Sequence, residues 1–69
     1  MPLAMASAGE EVYIKRVGGK EETRRFLETL GFVPGTMVKV ISKTGENLIV
    51  SVKDARVAIS REMAQKIMI

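Results

Sequence analysis

The side chains of this 69-residue chain that could do chemistry are carboxylates, hydroxyls and methionines, because the sequence has no cysteine and no histidine. That composition excludes disulfides, thiol nucleophiles, zinc knuckles and iron–sulfur clusters. It also removes the side chain that most often serves as general base near neutral pH. A catalytic or metal site would have to rest on oxygen or thioether groups.

Two pairs of adjacent carboxylates are the strongest candidates for metal ligands, Glu10 with Glu11 and Glu21 with Glu22. Adjacent residues on a strand point to opposite faces, and adjacent helix positions diverge by about 100°. Neither pair can chelate, so we interpret both as surface charge. The five methionines follow no spacing motif and are interpreted as core residues. We expect no metal ligands, although a weak site shared with a partner stays open.

Nucleotide binding and catalysis find no support either. The segment Gly18-Gly19-Lys20 is far shorter than a phosphate-binding P-loop motif, and the helix that follows begins with acidic residues. None of the four serines has a plausible base beside it. We therefore expect no catalytic residue and no cofactor, and a protein that is not an enzyme.

The charge pattern indicates the kinds of partner. Eleven basic and eight acidic residues are spread along the chain, giving a net charge of +3. A nucleic-acid-binding surface would be more one-sided. A small nucleic-acid-binding β-barrel therefore remains only as an alternative. No apolar run approaches the roughly 20 residues of a membrane span, and the first residues lack the basic start of a secretory signal. We expect a cytoplasmic protein without membrane insertion.

Hydrophobic periodicity predicts one domain, residues 1–69, with one substantial helix. Residues 11–17 alternate as a half-buried strand. Residues 20–30 carry an apolar stripe of helical period that includes Phe26 and Leu27. Gly31 falls where a helix ends in a left-handed residue, with Phe32 placed against Leu27 in a Schellman motif. Phe26 and Phe32 are both expected in the core.

The second half of the chain reads as a series of short strands. Residues 33–36 predict a type II turn, and residues 37–42 and 48–53 predict a hairpin with a loop at 43–47. A short strand at 56–59, a helical turn at 61–65 begun by Ser60, and a last strand at 66–69 complete the chain. Five strands in so small a sheet favour closure into a barrel, a mostly β fold.

The run EETRRFLETLGFVPGT, residues 21–36, resembles the signature of the FeoA family, and the similarity extends over essentially the whole chain. This resemblance implies an SH3-like five-stranded barrel with the helix after the first strand. It also implies an accessory role in bacterial ferrous iron uptake, through contact with the cytosolic part of the FeoB transporter. Related domains occur in metal-responsive transcriptional regulators, which is a further alternative.

The residues we predict to contact a partner lie on the helix and the turn that follows it. Arg24 and Arg25 are expected to point outward from the helix. Phe32, Val33 and Met37 are expected to form the exposed rim of the turn and to leave a shallow apolar groove beside the helix. A homo-oligomer formed through edge strands also stays open.

Overall fold

The computed structural model describes all residues, 1–69, and contains six short strands and two helices. A 3₁₀ turn, Leu3–Met5, precedes them. The elements in chain order are β1 (Glu11–Tyr13), β2 (Arg16–Val17), α1 (Glu21–Thr29), β3 (Met37–Thr44), β4 (Asn47–Val52), β5 (Ala55–Ser60), α2 (Arg61–Ala64) and β6 (Ile67–Met68).

The strands form two antiparallel sheets. One has four strands in the order β1-β3-β4-β5, and the other pairs β2 with β6. The single strand predicted over 11–17 is therefore wrong in one respect, because it is divided between both sheets. The backbone N–H of Ile14 donates to Thr36 O at 2.9 Å, whereas that of Lys15 donates to Met68 O at 2.7 Å. The small SH3-like fold is confirmed, but the strand ladder does not close around the barrel.

The β3–β4 hairpin is tighter than predicted. Thr44 pairs with Asn47, so the turn contains only Gly45 and Glu46, and the five-residue loop expected at 43–47 is wrong. A two-residue turn that begins with glycine matches the twist of the strands it connects, which lets the ladder continue to its end. A register shift between Val40 and Ser42 marks a β-bulge at the intervening residue.

The end of α1 is confirmed in detail. The N–H of Gly31 donates to Glu28 O at 3.0 Å and that of Phe32 to Leu27 O at 3.0 Å, which are the two hydrogen bonds of a Schellman motif. Gly31 has a φ of +105°, a conformation that disfavours residues with a Cβ. The predicted contact pair, Phe32 and Leu27, is fully buried.

Phe26 is 48% exposed, so the expectation that it lies in the core is wrong. Leu27 is the only fully buried residue of α1, with Thr23 and Leu30 partly buried on the same line of the helix. A helix that touches the barrel along one narrow line buries that line alone, and Phe26 lies at its edge.

The core is one cluster of 14 buried hydrophobic residues, with no buried polar side chain. Strands β3 and β4 contribute five of these residues, through alternating valines and Leu48. The N-terminal segment adds Leu3 and Ala6, which no pattern in the sequence predicted as core residues. At the other end, the Ser60 hydroxyl accepts a hydrogen bond from Met63 N at 3.1 Å, confirming the predicted start of α2.

Candidate partner-binding groove

A groove of about 340 Å³ lies beside α1. We call it the helix groove. Strand β2, the outer face of α1 and the chain after the Schellman motif supply its walls. Its lining residues are Arg16, Val17, Arg24, Glu28, Phe32 and Pro34.

Local structure explains why these residues meet. Arg24 and Glu28 are four residues apart, so both lie on one side of α1. The Schellman ending reverses the chain and brings Pro34 back beside that side of the helix. Strand β2 is fixed opposite by its pairing with β6, in which Val17 faces Ile67.

The electrostatics of the helix groove are dominated by two free guanidinium groups. Arg16 and Arg24 are exposed, and neither side chain makes an ion pair or a hydrogen bond within the protein. Glu28 is the one carboxylate in the lining. Guanidinium groups bind carboxylates in a bidentate geometry and stack on flat groups. The groove can therefore bind an anionic group over a floor that is partly apolar.

The residues predicted to contact a partner do not form one surface. Arg24 lines the helix groove. Arg25 does not, and its Nη2 lies 2.8 Å from Glu21 Oε1 in an exposed ion pair. Phe32 lies beneath the groove and is 0% exposed, so the expectation that it forms an exposed rim is wrong. A side chain that seals the helix end against the core has no surface left for a partner.

Met37 belongs to a different surface. It is 45% exposed on β3 and stands directly opposite Tyr13 of β1, which is 65% exposed. The two side chains form an apolar pair on the outer face of the four-stranded sheet, because paired residues in an antiparallel ladder share a face. Val33 is half-buried and lines neither this surface nor the helix groove.

Four residues of the helix groove were not predicted from the sequence: Arg16, Val17, Glu28 and Pro34. Arg16 and Val17 reach it only because the strand predicted over 11–17 changes sheets before them. No local pattern records that change of partner. Glu28 could have been found, since it lies four residues after Arg24 on the same helix.

Two further findings limit the chemistry of the chain. The structure brings no three His, Cys, Asp or Glu side chains together as a metal-binding group. Neither helix has the length and apolar character needed to cross a lipid bilayer. The fold and the helix groove together define a small SH3-like domain whose exposed features suit binding.

Comparison with known proteins identifies the family. The profile of the FeoA domain matches residues 1–69. A protein of Methanocaldococcus jannaschii, provisionally named Fe(2+) transport protein A, is 37% identical over 68 residues, which cover 99% of this chain and 83% of that one. The chain belongs to the FeoA family, which confirms the resemblance seen in the sequence.

Solved structures agree on the fold. FeoA of Stenotrophomonas maltophilia, described as an SH3 domain protein and solved with zinc, has a TM-score of 0.87 and 27% identity, covering 99% of this chain and 87% of that one. A manganese-dependent transcriptional repressor has a TM-score of 0.89 at 17% identity, covering 97% of this chain and 39% of that one. At that identity the likeness to the repressor shows the fold alone.

Proposed function

We propose that this protein is a cytoplasmic, non-enzymatic accessory protein of ferrous iron uptake, which acts by contact with the cytosolic region of an FeoB-type transporter. Membership of the FeoA family supports the role in iron transport. The name of its relative, an Fe(2+) transport protein, supports the same role. A domain of 69 residues with exposed, unpaired arginines and no buried polar group is suited to binding a macromolecule.

The observation that carries the proposed contact is the pair of free arginines in the helix groove. Neither side chain makes a hydrogen bond or ion pair inside the protein, yet both border the same groove. A partner segment with a carboxylate would bind them with charge-assisted hydrogen bonds. An apolar residue next to that carboxylate would pack on Val17 and Pro34.

The floor of the groove is built from a buried, hydrogen-bonded part of the fold, which favours a specific contact. Its floor rests on Phe32, which the Schellman hydrogen bonds and full burial hold in place. A preformed surface loses little conformational entropy on binding, so more of the interaction energy contributes to affinity. The helix groove therefore provides a preformed floor with two exposed, unpaired charged side chains at its edge.

The test is the affinity for the purified cytosolic domains of an FeoB-type transporter, measured with and without guanine nucleotide. We expect Arg24→Glu to weaken binding about tenfold or more, because it places a carboxylate where a carboxylate is to be bound. Arg56→Glu is the matched control: Arg56 is also exposed, unpaired and outside the groove. An equal loss in both variants, or no binding by the unaltered protein, would contradict the proposal.

Arg25, Val33 and Met37 stay predicted contact residues. None of the three lines the groove, and Met37 stands on the outer face of the sheet, so each would contact the outer part of a larger interface. The double variant Val33→Asp with Met37→Asp tests the two apolar residues, and we expect weaker transporter binding with the fold retained. Unchanged affinity would restrict the interface to the helix groove.

A further inference from the structure

A second groove, of about 660 Å³, lies at the far end of β3 and is separate from the helix groove. We call it the β3 groove. The 3₁₀ turn, the end of β3 and α2 surround it. Its lining residues are Pro2, Ala4, Met5, Lys43, Arg61 and Gln65.

The charge in the β3 groove is of one sign. Lys43 and Arg61 line it, and no carboxylate does. The Lys43 side chain makes no hydrogen bond or ion pair, and Arg61 uses one Nη2 donor, to Gly45 O at 3.0 Å. A guanidinium group has five N–H donors, so most of them stay free. The groove therefore complements a negatively charged ligand.

The opposite wall of the β3 groove is apolar. Met5 is 68% exposed there, beside Pro2 and Ala4. Leu3, which lies between Pro2 and Ala4, points the other way and is fully buried in the core. Methionine adapts its shape to irregular partners. A ligand that fills this groove needs an apolar side chain as well as negative charge, which a small inorganic anion does not have.

The backbone of β3 adds a third feature. Strand β1 pairs with β3 only as far as Lys39, and the bonds that Val40 exchanges with Gly9 and Glu10 are the last on that side. Residues 41–44 have β4 on one side and no strand on the other. The bulge after Val40 adds one residue, so Lys43 is the next position whose N–H and C=O face the open side.

We propose that the β3 groove binds an extended acidic peptide segment of a partner protein, which adds to the open edge of β3 as a further strand. Lys43 and Arg61 bind its carboxylates, and Met5 with Pro2 packs against an apolar side chain. Main-chain hydrogen bonds to a sheet edge supply affinity in this mode of recognition, and alternate side chains supply specificity. Nucleic acid is disfavoured because no aromatic side chain lines the groove for base stacking.

The probe is a blocked octapeptide, Thr-Val-Thr-Glu-Thr-Val-Thr-Glu, which carries valine and glutamate on one face when extended. It is titrated into the ¹⁵N-labelled protein, with amide chemical shifts as the readout. We expect saturable shifts centred on Lys43 and Arg61. Two control peptides, one with lysine for glutamate and one N-methylated along the backbone, are expected to bind at least about fivefold more weakly.

Protein variants complete the test. Lys43→Glu is expected to lower the affinity for the acidic peptide at least about fivefold. Arg56→Glu, a charge reversal at an exposed position on β5, is expected to leave that affinity unchanged. Circular dichroism confirms that both variants are folded. Shifts centred on α1, equal binding of the lysine or the N-methylated peptide, equal effects of the two variants, or no saturable binding would each overturn the proposal. Shifts centred on α1 would place the acidic peptide in the helix groove. The other outcomes concern the β3 groove alone and leave the proposed transporter contact unaffected.

Discussion

The two phenylalanines near the helix end offer a sharp test of the packing, because the same substitution should have very different effects at each. Phe32 is fully buried beneath the helix groove, whereas Phe26 is 48% exposed. Replacing a buried phenylalanine with alanine costs about 3–5 kcal/mol, through lost burial and the cavity left behind. Phe32→Ala should therefore remove most of the stability of the domain, since a chain of this size has roughly 3–10 kcal/mol in total.

Phe26→Ala should be nearly neutral. Burying a whole large apolar side chain contributes roughly 1.5–3 kcal/mol, and Phe26 buries only about half of its surface. Its removal therefore loses about 1 kcal/mol of burial energy. Alanine then recovers roughly 0.5 kcal/mol because it is the better helix former. The expected net cost is about 0.5 kcal/mol, several times smaller than at Phe32.

Urea unfolding followed by far-ultraviolet circular dichroism measures both free energies of unfolding. Phe32→Leu, which leaves a smaller cavity and should cost roughly 1–2 kcal/mol, keeps the comparison measurable where Phe32→Ala does not fold. Equal losses of stability for Phe26→Ala and Phe32→Ala would refute the described packing of α1. A Phe32→Leu variant as stable as the unaltered protein would do the same.

Three further stability predictions use the same unfolding assay. Gly31→Ala should cost about 1–2 kcal/mol, and more than Gly35→Ala. Both glycines have positive φ, but only at Gly31 does a new Cβ meet a side chain, at 3.3 Å. Equal costs would contradict the close packing at Gly31. Ser60→Ala should cost about 1 kcal/mol by removing the hydroxyl that caps α2, and an unchanged unfolding midpoint would count against that cap. Lys53→Asn combined with Asp54→Gly should stabilise the protein by about 1 kcal/mol, because both positions have positive φ in a two-residue turn that favours Asn-Gly; a loss of stability would argue against this turn.

The features predicted well from the sequence are those set by local chemistry. The helix end needs only the glycine at position 31 and an apolar residue after it, and the hydrogen bonds found there are those expected. The start of α2 follows from one serine hydroxyl. The β3–β4 and β4–β5 hairpins follow from alternating apolar residues. The first turn is shorter than predicted, and the second has the predicted two residues but begins one residue earlier, at Lys53.

The features missed depend on which segments meet in three dimensions. Alternation over residues 11–17 is the same whether the strand pairs with one sheet or two, so the division into β1 and β2 leaves no local signal. Helical periodicity places Phe26 and Leu27 on one stripe, but only the contact with the barrel decides which is buried. For the same reason Arg24 was found as a candidate and its neighbour across the groove, Arg16, was not.

The most direct measurement of the proposed contact is the footprint of a transporter on this protein. The unlabelled cytosolic domains of an FeoB-type transporter are added to the ¹⁵N-labelled protein, and the perturbed amides are mapped onto the structure. We predict that the largest perturbations fall on Arg16, Arg24 and Glu28, around the helix groove. Perturbations confined to the outer face of the four-stranded sheet near Tyr13, or none at saturating concentration, would contradict the account.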